Sequence, residues 1–200
     1  GLSLNQDLAT PTDPLFLSGV ETLTLGTTAA TSYSLASGSE VGGDVTWVES
    51  VSVGNKTIGG NLVESLHHFH QDGNIHVNAN IDAGDQVLLH ALNPNAPAAV
   101  NVNAAISGNN RVEIQATGNI TQGASGLLDA GAVVLKAGGN IGAISNDQMI
   151  STDTVAVQAG GSAYLRDTSG DLEIVDDAAL TGALGAGQEF RVRSDNGDLT

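Results

Sequence analysis

The sequence predicts an all-β solenoid, a parallel β-helix with about 22 residues per rung. Three observations predict it. Five segments share one pattern: an aliphatic residue, a short polar or Gly-containing turn, then a strand of the form V-x-V-x-A. They are "IDAGDQVLLHA" from Ile81, "ISGNNRVEIQA" from Ile106, "LDAGAVVLKA" from Leu128, "ISTDTVAVQA" from Ile150 and "LGAGQEFRVRS" from Leu184, with starts 25, 22, 22 and 34 residues apart. A second signature, Gly then Asn or Asp then Val, Ile or Leu, occurs seven times, at Gly43, Gly60, Gly73, Gly118, Gly139, Gly170 and Gly197. Finally, Gly makes up 26 of 200 residues and aromatics only 3%, so the core must be Val, Ile, Leu and Ala packed between frequent turns.

Taken in chain order, residues 1–60 are a less regular β-rich portion, read as continuous with the solenoid. They carry an echo of their own, "VETLTLG" at Val20 and "VESVSVG" at Val48, in which period-two alternation puts one face inside. Residues 61–200 hold the regular repeats. After the strands "VEIQA" and "VVLKA" the chain runs straight into Gly118-Asn119 and Gly139-Asn140, and the sharp turn suggests residues tolerant of positive φ. The same corner role is assigned to Gly73 and Asn74, Gly170 and Asp171, and Gly197 and Asp198. Stacked rungs place Val112, Val133 and Val155 in one interior ladder, with Asn119 and Asn140 in a corner ladder whose amides bond the next rung. A hairpin meander would put two-residue turns between adjacent strands, and the repeat is too long for that. Rungs about 4.8 Å apart give a rod of roughly 40 Å. The chain stops at "SDNGDLT", where another rung would begin, so the expectation is a segment of a longer rod.

Charge narrows the partners. Six Lys and Arg against 22 Asp and Glu give a net charge of -16, which repels phosphate backbones and anionic lipid, so neither nucleic acid nor membrane insertion is expected. With no Cys there is neither a disulfide framework nor a thiolate metal site. No segment approaches the ~18 consecutive apolar residues of a membrane span, and the first residues lack a signal pattern; an export signal would lie outside these 200 residues.

The segments "VVLKAGGNIG", "VEIQATGNIT" and "VAVQAGGSA" resemble the repeats of bacterial exoproteins of the filamentous haemagglutinin type, over roughly residues 61–200. The resemblance implies a right-handed helix, an extracellular or cell-surface location, and export through a dedicated outer-membrane partner. It also implies work as the shaft or adhesive segment of a large surface protein, with glycans or a host or neighbouring cell surface as partner. "NPNAP" at Asn93 is similar to the N-P-N-G motif of that family's secretion domain, but Ala96 stands where the family has Gly, and residues 1–100 are not assigned to that domain.

Three candidate sites remain. In "SLHHFHQDG", residues 65–73, strand alternation puts His67 and Phe69 on one face and His68 and His70 on the other. His68 and His70 are a candidate zinc pair, with Asp72 or His76 as further ligands. Two ligands on one strand fall short of the three or four a zinc site requires, so no metal or other cofactor is expected. Acidic turns such as "DAGD" at Asp82 and "SDNGD" at Ser194 lack the calcium nonapeptide pattern and any EF-hand loop. Arg166 and Arg193 occupy equivalent positions 27 residues apart with Asp167 and Asp195 nearby, a set able to hold an acidic sugar or, with paired carboxylates, to cleave a glycosidic bond. No convergent acid, base and oxyanion constellation accompanies them, so the expectation is a non-enzymatic protein. The alternative is a β-helical extracellular protein that binds or degrades polysaccharide.

Overall fold

The computed structural model describes residues 74–77, 80–83, 86–180 and 184–200, together with the backbones of short strands from Leu2–Leu4 to Phe69–Gln71. Among these there is no helix. All strand-to-strand pairing among them is parallel, with equivalent strands about 22 residues apart, and the regular repeats from Ile81 to Ala159 form about 4 turns of a β-solenoid. Each turn contributes to three faces.

On the first face, Leu2–Leu4, Thr22–Leu25, Asp44–Trp47, Ile75–Val77, Val100–Val102 and Ile120–Gln122 pair in sequence order. Single bridges at Ile141 carry that ladder on to Ala163. On the second face Ile81, Ile106, Leu128 and Ile150 stand in register. The third face runs from Phe69–Gln71 through Gln86–Ala91, then through the second halves of Ala105–Ala116 and Leu127–Ala137, to Thr154–Ala159. The backbone strands described before residue 60 pair into these same faces.

The core follows from alternation. On the third face Val87, Val112, Val133 and Val155 form one interior ladder. Leu89, Ile114, Leu135 and Val157 form the next, and Ala91, Ala116, Ala137 and Ala159 close it at the corner. All twelve are buried in one continuous cluster with the Ile and Val residues of the other two faces. Small Ala at the corner lets the chain turn toward the first face without leaving a void, and the branched residues fill the width between sheets.

Four features differ from the sequence reading. The fifth aligned segment is out of place: its strand does not stack on Thr154–Ala159 of the third face. Phe190–Ser194 instead pairs Ala163–Asp167. The echo at Val20 and Val48 is not a stacked pair either, since Thr22–Leu25 lies on the first face and Val51–Ser52 pairs Ile81 and Asp82 on the second.

Gly118, Gly139 and Gly197 are chosen for closeness, whereas a Cβ at Gly170 would meet nothing within 4 Å. Among the described residues only Gly142 and Gly185 have positive φ, 64° and 113°. At Gly139 a Cβ would run into Asn119 Oδ1, and at Gly161 into Asn140 Oδ1, so successive corners approach too closely for any side chain.

The fourth difference is an insertion within a strand. Glu173–Ile174 stacks on Thr154 and Val155, the chain then leaves the sheet, and Gly185–Ala186 rejoins it above Gln158 and Ala159. Residues 175–180 fold back outside the third face, where Leu180 is buried with Val134 and Ala156, and Val175, Ala179 and Leu184 pack against them. We call this excursion the strap.

Candidate functional site: the outer surface of the third face

Position four of each third-face strand points outward. In register this column holds His90, Gln115, Lys136, Gln158 and finally Gly185. Beside it, at position two, stand Glu113, Val134 and Ala156, all buried although they face away from the core. The strap covers Val134 and Ala156, while the side chains of His90, Arg111 and Gln115 enclose Glu113.

Glu113 is the centre of a charged network. His90 Nε2 lies 2.8 Å from Glu113 Oε1, and Gln115 Nε2 donates to the same oxygen at 2.6 Å. Arg111 donates to Glu113 Oε2 through Nε at 3.1 Å and Nη2 at 2.6 Å. The same guanidinium reaches the strap, with Nη1 2.7 Å from Asp177 Oδ2 and Nη2 2.9 Å from Oδ1. Asp177 Oδ1 also accepts the Ala179 N–H at 2.8 Å, which fixes the first turn of the strap. Burial pushes the Glu113 carboxyl up, but the hydrogen bonds from His90, Arg111 and Gln115 outweigh it and hold it at about 2. The Arg111 hydrogen bond holds Asp177 below the usual carboxylate range, and the Arg111 guanidinium is correspondingly raised.

Next to this network lies a groove of about 750 Å³. Gln115, Lys136 and Gln158 line it along with the glycine corners that follow their strands; Leu92 comes from an earlier rung and Leu184 from the end of the strap. The described lining residues include one Lys and no Asp or Glu.

The other candidates are placed as follows. His68, Asp72 and Gly73 lie outside the described residues. Phe69 takes the register position of the inward Leu89, and His70 that of the outward His90. His76 Nδ1 is 3.0 Å from Asn101 Nδ2, and Thr121 Oγ1 donates to Asn101 Oδ1 at 2.6 Å, a polar column on the first face. Among the described residues no group of three or more His, Cys, Asp or Glu is placed to hold a metal ion.

Arg166 and Arg193 are direct register neighbours. Arg166 Nη2 is 2.7 Å from Asp195 Oδ2. Arg193 Nη2 is 2.9 Å from Asp147 Oδ2, near enough for ion pairing though not aligned as a hydrogen bond. Asp147 also pairs with Arg191, whose guanidinium lies 5.0 Å from the centre of the Tyr164 ring. Asp167, in contrast, is fully buried: it accepts from Ser169 Oγ at 2.8 Å and from the Gly170 N–H at 3.2 Å. Asp167 and Asp195 are therefore turned to opposite sides of the sheet and do not form a carboxylate pair across one bond.

The corner residues make inter-rung bonds. Asn74 Oδ1 accepts the Ala99 N–H at 2.7 Å. Asn119 Oδ1 accepts that of Asn140, and Asn140 Oδ1 that of Ser162, both at 2.8 Å. Asp171 Oδ1 accepts the Asp198 N–H at 2.8 Å. Gly118 sits beneath Ala98, with its N–H donating to Ala98 O at 2.7 Å, and at Gly197 a Cβ would strike the backbone of Gly170 and Asp171.

The residues that sequence reasoning missed are Glu113 and Arg111, which meet within one strand, and Asp177, which the strap brings to them. The single signal in the sequence was the 34-residue interval before Leu184, longer than the others by about one short loop. No protein-family model, curated protein or solved structure matches this chain.

Proposed function

We propose that this chain is a shaft or adhesive segment of a large secreted or cell-surface bacterial exoprotein, exported with an outer-membrane partner and working without catalysis. One observation supports the reading above others: the aliphatic ladders pass through successive rungs of the third face from Val87 to Val155 and from Ala91 to Ala159. A solenoid of that kind resists bending because every rung is held by its neighbours over the whole length of three sheets. The acidic surface keeps a repetitive β-protein from lateral association. Glycans or a cell surface are the partners that such a rod meets.

Small-angle scattering and a degradation assay test this together. The purified chain is expected to scatter as an elongated particle and to release no reducing or unsaturated ends from acidic or neutral polysaccharides. Sustained turnover that disappears in Arg166→Ala or Arg193→Ala would replace the shaft with an enzyme.

A further inference from the structure

We infer that the strap is an acid-released latch: protonation of the carboxylates at its foot frees residues 175–180 from the third face while the rungs beneath stay folded. This property belongs to the strap alone and holds whether the chain is a shaft or an adhesive segment.

The strap is fastened to the sheet in two ways. Asp177 is gripped by the Arg111 guanidinium, with Oδ2 2.7 Å from Nη1 and Oδ1 2.9 Å from Nη2. Leu180 is buried against Val134 and Ala156, while Val175, Ala179 and Leu184 are only partly covered there. Asp176 and Ala178, on either side of Asp177, are exposed, so Asp177 is the strap's polar foothold. Burial of one leucine with three partly covered neighbours is set against the conformational entropy of fixing residues 175–180. These two large terms oppose each other, and the ion pair decides whether the strap lies down.

That pair depends on acids alone. Arg111 lies between Asp177 and Glu113, and Glu113 also meets His90 and Gln115. Val134 and Ala156, which register with Glu113 on the next two rungs, bring no charge. The other charges on these elements are Lys136, two positions along from Val134, Asp176, and Glu173 just before the strap. The Arg111 hydrogen bond holds the Asp177 carboxyl below the usual carboxylate range. Burial pushes Glu113 up, but the bonds from His90, Arg111 and Gln115 bring it to about 2. A lowered carboxyl contributes its stabilisation in full above its unfolded-state value and loses it as pH falls through its folded value. Toward pH 2, therefore, Arg111 is left charged beside two neutral acids and the foothold is lost.

The ladders under the strap do not share this dependence. Val87 to Val155, Leu89 to Val157 and Ala91 to Ala159 hold no titratable side chain, so the third face keeps its core when the strap lets go. Release uncovers Val134, Ala156 and Leu180, an apolar patch that is closed at neutral pH, and frees the Leu184 wall of the neighbouring groove.

The chain has no Cys, so a single Ala178→Cys takes a nitroxide spin label at the exposed top of the strap. Its electron paramagnetic resonance spectrum, followed from pH 7 to 2 beside far-ultraviolet circular dichroism, tests the latch. The label is expected to be ordered at pH 7 and to become mobile, reversibly, below the ordinary carboxylate range, with the β-signal unchanged. Asp177→Asn in the labelled chain should raise the ratio of mobile to ordered strap at pH 7 by about ten-fold or more, as loss of a charged bidentate pair requires. Asp176→Asn, at an exposed carboxylate, should follow the parent. A label already mobile at pH 7, one that stays ordered to pH 2, a label and β-signal that change together, or an Asp177→Asn chain that keeps the parent's transition would each overturn it.

Discussion

Glu113 shows how one residue's character can be hidden from the sequence. In "VEIQA" it occupies an outward position, where a carboxylate is expected to be solvated, yet it is 5% exposed and held by three side chains. Its carboxyl is lowered from 4.5 to about 2. Such a group stabilises the fold fully above its unfolded-state value and loses that contribution as pH falls toward 2, a difference of roughly 3 kcal/mol. Glu113→Gln is expected to be less stable than the native chain at pH 7 by about that amount, with the gap closing between pH 4.5 and 2. Urea titrations across that range check it; parallel curves at all pH values would mean that the carboxylate is not coupled to folding. The corner glycines teach a related lesson: "GN" is easy to see, but the reason for it, room for the Asn119 and Asn140 carbonyls, appears only when rungs are stacked.

At the scale of elements, the strands were readable because inward residues repeat in kind. Val112, Val133 and Val155 are one ladder in both sequence and structure, and Ile81, Ile106, Leu128 and Ile150 another. Leu184 broke the pattern because the strap displaces it, and a single chain carries no second copy of the strap to align. The strap is held by the Arg111 pair with Asp177 and by Leu180 over Val134 and Ala156. Asp177→Ala removes the bidentate pair and the Ala179 turn bond, charged hydrogen bonds worth about 1–2 kcal/mol net at a partly exposed site. Amide exchange across residues 175–180 should then quicken by about ten-fold while the interior strands keep their protection. Unchanged exchange would show that apolar packing alone holds the strap.

For the whole molecule, stacking makes length an additive property. Removal of residues 128–149 joins Leu127 to Ile150 and preserves the face-two register, since Leu128 and Ile150 are already partners. The shortened chain is expected to fold cooperatively, with its long dimension reduced by about 4.8 Å, the spacing of one rung. Scattering and thermal unfolding check both; a product without a cooperative transition would count against independent, additive rungs. The principal strain in this variant is at Gln122, which loses the partner Gln148, whose Nε2 donates to Gln122 Oε1 at 2.6 Å inside the core.

The strap also bears on how such a rod acquires new properties. Its chain departs after Ile174 and returns at Gly185 within a single strand, and the ladders on either side remain in register. Recognition can then evolve in the excursion while the repeats stay under selection for stacking alone. The same junction serves protein engineering as a port: a foreign peptide grafted there would be displayed on the flank of a stiff scaffold, with its ends already held at a fixed separation.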